Sequence, residues 1–106
     1  MSDETREQFG ATVNMTANEL SEWLKTDDSK NAGQHKNGGE STGHASGRRI
    51  ITILGKKKAE LTAADEKHMV KVIGYIHRHL AQRPARDIEH STWRHSLMNW
   101  GHDPTK

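Results

Sequence analysis

Apolar residues recur at helical spacing in four stretches of this chain, and the intervals between them are polar. In the first stretch Leu20, Trp23 and Leu24 repeat every three or four residues. They follow Thr16-Ala17-Asn18-Glu19, where a Thr hydroxyl and a Glu carboxylate three positions apart can each accept from the other's backbone amide. This capping box, with Met15 and Leu20 at its staple positions, predicts a helix over 17–25, and a looser helix before it packs Phe9 and Val13. Ile50, Ile53 and Leu54 mark the second stretch, read as a helix from an N-cap at Ser46 to about Lys58. The third opens on Thr62-Ala63-Ala64-Asp65, a capping box with Asp in the Glu place, and runs to about Arg83 before Pro84. Its Met69, Val72, Ile73, Ile76 and Leu80 share an arc of about 100°, with Lys67, Lys71 and Arg78 opposite. The fourth aligns Trp93, Ser96, Leu97 and Trp100 on a helix over 88–100, with Gly101 placed for a left-handed cap.

Strand signals are nearly absent, since β-branched residues cluster only at Ile50 to Ile53 among helix formers. The expected fold is all-α, one small domain of four to five helices. From Asp27 to Ala45 no apolar residue exceeds Ala, and Gly33, Gly38, Gly39 and Gly43 stand among Asn, Ser, Lys and His. An irregular stretch of this length is either a functional loop or a solvated linker. The chain therefore divides into an acidic helical segment over 1–28, a Gly-rich polar loop over 29–45 and a basic helical body over 46–106.

Composition narrows the class. With 106 residues, 31% of them hydrophobic, there is room for one core. There is no Cys, hence no disulfide, thiolate metal site or thiol nucleophile. No apolar run reaches ten residues, and Ser2-Asp3-Glu4 has neither the basic nor the apolar region of a signal peptide, so a soluble cytoplasmic protein is expected, with no membrane partner. The formal charge of +2 hides an asymmetry. Two basic and seven acidic residues precede or include Asp28, and fourteen basic and seven acidic follow it. Residues 29–58 alone hold seven basic residues and one acidic. Such concentrated charge suits a polyanion.

The strongest candidate chemistry lies in Gly39-Glu40-Ser41-Thr42-Gly43-His44-Ala45-Ser46-Gly47-Arg48-Arg49. Small residues let backbone amides approach an anion, a helix start aims donors outward, and two Arg add charge. Those Arg oppose the helix dipole unless an anion, or a carboxylate of the acidic segment, offsets them. A P-loop is excluded, because neither Gly33 to Gly38 nor Gly38 to Gly43 is followed by the required Lys. Lys56, Lys57 and Lys58 form a second cluster, which would equally complement a helix carboxyl end. Groove reading by the third helix is rejected, since a recognition helix would begin Ala63-Ala64-Asp65-Glu66. His77 and His79 lie about 160° apart around their helix, no H-x-x-x-H pair occurs, and no nucleophile elbow is present. Neither metal, cofactor nor catalysis is expected. Trp93 and Trp100 are read as core.

Several runs resemble an uncharacterised family of small, mostly bacterial and fungal proteins. They are Glu19 to Leu24, Gly38 to His44, Ser46 to Ile50, His77 to Pro84 and Ser96 to Pro104, in order over nearly the whole chain. Its members are commonly labelled DNA-binding proteins or domains of unknown function, so the resemblance implies DNA binding and supplies no catalytic residues. Gly55 and His95 depart from it, standing where a larger polar residue and an aromatic are usual.

The expectation is a non-enzymatic protein of the nucleoid, nucleoid-associated or regulatory, that holds the phosphates of double-stranded DNA. Its contacts would come from Lys36, Ser41, Thr42, His44, Ser46, Gly47, Arg48, Arg49, Lys56, Lys57 and Lys58. The alternative is an adaptor that docks an acidic protein partner through the same surface. Homo-oligomerisation stays open.

Overall fold

Ser and Thr caps set five helix starts in the computed structural model, which describes residues 3–32 and 41–106. Helix α1 spans Asp3–Thr12, α2 Ala17–Leu24, α3 Asp27–Asn31, α4 Thr42–Leu54, α5 Ala63–Leu80 and α6 Thr92–Asn99, with a 3-10 turn at Lys58–Glu60. Thr16, Thr26, Ser41, Thr62 and Ser91 each accept from the amide three residues on, satisfying a donor that a helix start leaves open. Both capping boxes read from the sequence form, at Thr16/Glu19 and Thr62/Asp65. The described residues are helical with no strand, in a single small domain.

Helix α1 lies on α5 and α2 on α4, while α6 touches α2, α3, α4 and α5 and so joins the two pairs. One core fills the space between them, with Leu20, Ile50, Val72, Ile76 and Leu97 fully enclosed. Fully burying a side chain of this kind contributes about 1.5–3 kcal/mol. The chain ends are tied together by Asn14, which donates through Nδ2 to the Asp103 carbonyl at 3.0 Å and accepts from the Asp103 amide at 2.7 Å. Gly101 closes α6 at φ +85°, a region costly for any other residue, and its carbonyl accepts from Met15 N at 3.1 Å.

Five expectations need correction, the first being the count, since six α-helices form among the described residues where four to five were expected. Helix α4 starts at Thr42, capped by Ser41, and not after Ser46; it ends at Leu54. Residues 27–31 form α3, so both margins of the supposed 29–45 loop are helical, and its centre, 33–40, falls outside the described residues. Leu54 is 37% exposed rather than inward-facing, and the last helix is confined to Thr92–Asn99.

Candidate nucleic-acid interface

The small residues of α4 face the protein. An added Cβ at Gly47 would lie 2.6 Å from the Asn99 carbonyl and 2.9 Å from Leu24 Cδ2, and one at Gly43 would lie 3.1 Å from Trp100 Nε1. Two glycines one turn apart thus let α6 and α2 rest almost on the α4 backbone. Ser41 is buried in its capping role. His44 Nε2 bonds the Leu24 carbonyl at 2.8 Å, at the last turn of α2. Ser46 is buried and bonds His68 Nε2 at 3.0 Å. Asn99, which the sequence pattern did not single out, anchors this packing. Its Oδ1 accepts from Trp23 Nε1 at 2.7 Å and Ser29 Oγ at 2.5 Å, and its Nδ2 donates to the Ser29 carbonyl at 3.0 Å.

The Lys56–Lys58 cluster is largely engaged by carboxylates. Lys56 Nζ reaches Asp65 Oδ2 at 2.7 Å, Arg49 Nη2 reaches Asp65 Oδ1 at 3.4 Å, and Lys58 Nζ reaches Asp3 at 2.9 Å. The Lys56 bond, with those from Thr62, holds the Asp65 carboxyl at about 2, well below its ordinary 3.8. Asp65 is almost entirely enclosed, so this anion stays within the fold as a counter-charge. Arg48 and Lys57 are exposed, and Lys36 lies outside the described residues.

Thr42 opens instead into two adjoining clefts. One, of about 360 Å³, lies between α4 and α5 and is lined by Ser41, Thr42, Ala45, Ser46, Arg49, His68 and Lys71. The other, of about 460 Å³, is lined by Thr42, Gly43, Lys71, Tyr75, Arg78, His79, Ser96, Asn99 and Trp100. Thr42 and Lys71 belong to both, and among the described residues no carboxylate lines either. The positive end of the α4 dipole points here. His68 is held below its usual 6.5 by burial and then by the positive charges of Arg49 and Lys71. A third depression, of about 670 Å³, along Ala63, Ala64, Lys67 and Val70 includes Glu66.

A row of near-parallel rings backs the clefts. His68 and Trp100 stand 6.3 Å apart, Trp100 and Tyr75 4.1 Å, Tyr75 and His79 5.2 Å, and His79 and Trp93 6.2 Å. Trp93 Nε1 donates to the His79 carbonyl at 2.6 Å, which fixes the α5–α6 end of the row. Both Trp are buried, as core residues should be.

Of the residues expected to contact phosphate, Ser41, Thr42, Ser46 and Arg49 therefore border one cleft. His44 and Gly47 are turned to packing, and Lys56 and Lys58 pair with carboxylates. Lys71, Arg78 and Tyr75 complete the site. Their signal was the 71, 75, 78 spacing, which puts two cations around one aromatic on a single helix face. Among the described residues no group of three or more His, Asp or Glu could hold a metal ion, and no helix is long and apolar enough to cross a membrane.

No curated protein and no solved structure matches the chain. A family profile described as "Protein of unknown function (DUF3140)" matches residues 8–98, which include α2 to α5 whole and all but the last residue of α6, and the chain belongs to that family.

Proposed function

We propose that this is a non-enzymatic DNA-binding protein, nucleoid-associated or regulatory, that holds the phosphate backbone of double-stranded DNA along the groove between α4 and α5. The observation that carries this reading is the pair of adjoining clefts, whose walls, among the described residues, hold Arg49, His68, Lys71 and Arg78 without an acidic side chain. Lys71 and Arg78 are separated by about 10 Å of helix rise. Duplex DNA carries a charge every ~1.7 Å of its axis, so several phosphates fall within reach. Contacts to phosphate position a duplex without reading its sequence.

Fluorescence anisotropy with a labelled duplex, titrated over salt, tests the reading. Affinity is expected to fall by a factor of ten or more between about 50 and 200 mM salt, with a logarithmic slope near −0.9 for each phosphate contacted. Replacing Lys71 and Arg78 together with Gln should lower that slope by about 2 and weaken every duplex sequence alike. Absent binding at low salt, or a slope that the double variant leaves unchanged, overturns the proposal. Retention of an acidic polypeptide by a protein that ignores duplex DNA would assign the groove to an adaptor.

A further inference from the structure

The 460 Å³ cleft has a composition that backbone binding does not require. It is lined by Tyr75 and Trp100, and by Gly43, whose missing Cβ lets the Trp100 indole pack close. Tyr75 and Trp100 stack with their centroids 4.1 Å apart, so the two rings line the space together. An aromatic lining favours a further ring, offset-stacked or edge to face. The exposed side chains of Lys71 and Arg78 supply two positive charges at the same opening. His79 also lines it, and its Nε2 is buried and, among the described residues, without a hydrogen-bond partner. The volume lies in the range of small-ligand sites, about 300–1,000 Å³.

We infer that this cleft binds a phosphate monoester bearing a planar ring, of nucleoside monophosphate size, and that its occupant competes with DNA for Lys71. The charge decides the class. A monoester carries about −1.5 to −2 near pH 7 and matches two cations, whereas a carboxylate leaves one unmatched. The ring accounts for the aromatic lining of Tyr75 and Trp100, which a bare phosphate leaves unused. The competition rests on the DNA-binding reading, because Lys71 also lines the neighbouring cleft; the ligand site does not.

Calorimetric titration of the full chain with adenosine monophosphate, adenosine and inorganic phosphate tests the site. The monophosphate should bind one per chain, about tenfold or more tighter than either fragment, and should weaken about tenfold or more in the Lys71→Gln/Arg78→Gln variant. Lys67→Gln, on the same helix and outside the cleft, should bind it normally. Saturating monophosphate should raise the apparent Kd for duplex at low salt. Monophosphate binding no tighter than phosphate, or unaffected by the double variant, overturns the inference. Duplex binding with no response to the monophosphate removes this inference alone. Monophosphate binding without duplex binding keeps the ligand site and removes both the competition and the function proposed above.

Discussion

Helices α4 and α5 both combine glycine with positive charge, but they use them in opposite ways. On α4, Gly43 and Gly47 are pressed against α6 and α2, Ser46 is buried on His68, and Arg49 leans on Asp65. On α5, Gly74 faces only the flexible end of Arg78, while Lys67, Lys71 and Arg78 are exposed. A residue without a side chain lets a backbone approach something closely, and on α4 that something is another helix. An anion-ready composition and a helix-crossing composition are thus the same composition. What separates them is whether a long, capped helix begins early enough to include the small residues, and Ser41 begins it there.

The largest effect should come from removing that distinction at Gly47. In Gly47→Ala the new methyl meets a backbone carbonyl at 2.6 Å, which cannot yield without moving α6. Overpacking of about 1–3 kcal/mol, more against backbone, outweighs the ~1 kcal/mol that Ala gains in helix propensity. A net loss of about 1–2 kcal/mol is expected in urea unfolding. A neutral or stabilising result would show that α4 and α6 are not in contact here.

Asp65→Asn sharpens the contrast between the two basic regions. It removes the charge that holds Lys56 and Arg49 and keeps the capping geometry of Thr62 mostly intact. The free protein should melt at lower temperature, because two cations lose a nearly enclosed partner. Duplex affinity at low salt should rise, with a steeper salt slope, since both cations become available to phosphate. Unchanged binding would mean that Lys56 and Arg49 lie off the DNA path.

The fold was largely legible because its signals were local. Capping at Thr16 and Thr62, the Met69 to Ile76 stripe and the cap at Gly101 each follow from neighbours in sequence. The start of α4 was misplaced by five residues because Gly43 and Gly47 are poor helix formers, and only contact with Asn99 and Leu24, far away in the chain, offsets their propensity. In the candidate site the cations were legible and their partners were not. Ionic partners decided which cations were engaged, and the Lys58–Asp3 and Lys56–Asp65 pairs are tertiary facts that charge counting cannot supply. Tyr75 went unnoticed because a half-buried aromatic on a core helix has the same sequence appearance whether or not a cleft opens beside it.

Acid should expose the same contrast through protonation. His68 and His79 are held below 6.5, His79 by burial and His68 by burial and by Arg49 and Lys71. A depressed folded-state pKa means that the unfolded chain takes protons first, so the stability these groups give is present above pH 6.5 and is lost as pH falls. Asp65 and Asp103, both at about 2 against 3.8, add a second loss between roughly pH 5 and 2. Burial works against ionised Asp103, and Arg94 with Thr105 overcomes it. Duplex binding should respond in the other direction. Phosphate beside His68 offsets the charges of Arg49 and Lys71, so protonation accompanies binding and affinity should tighten from pH 8 to 6. His68→Asn should flatten that binding profile while the Asp-dependent acid unfolding remains.

The smallest effect is the counterpart of the first. Gly74 is helical, half-buried, and an added Cβ would meet only Arg78 Nη1, at 3.0 Å. Because the obstacle is the far end of a flexible side chain, it can swing aside, and Gly74→Ala should gain about 0.5–1 kcal/mol from helix propensity and the reduced freedom of the unfolded chain. The displaced guanidinium borders the 460 Å³ cleft. If Arg78 holds phosphate, this stabilising change should therefore weaken duplex binding slightly even as the urea midpoint rises. A gain in stability with no change in binding would leave Arg78 as a solvated surface charge and reduce the groove to Arg49, His68 and Lys71.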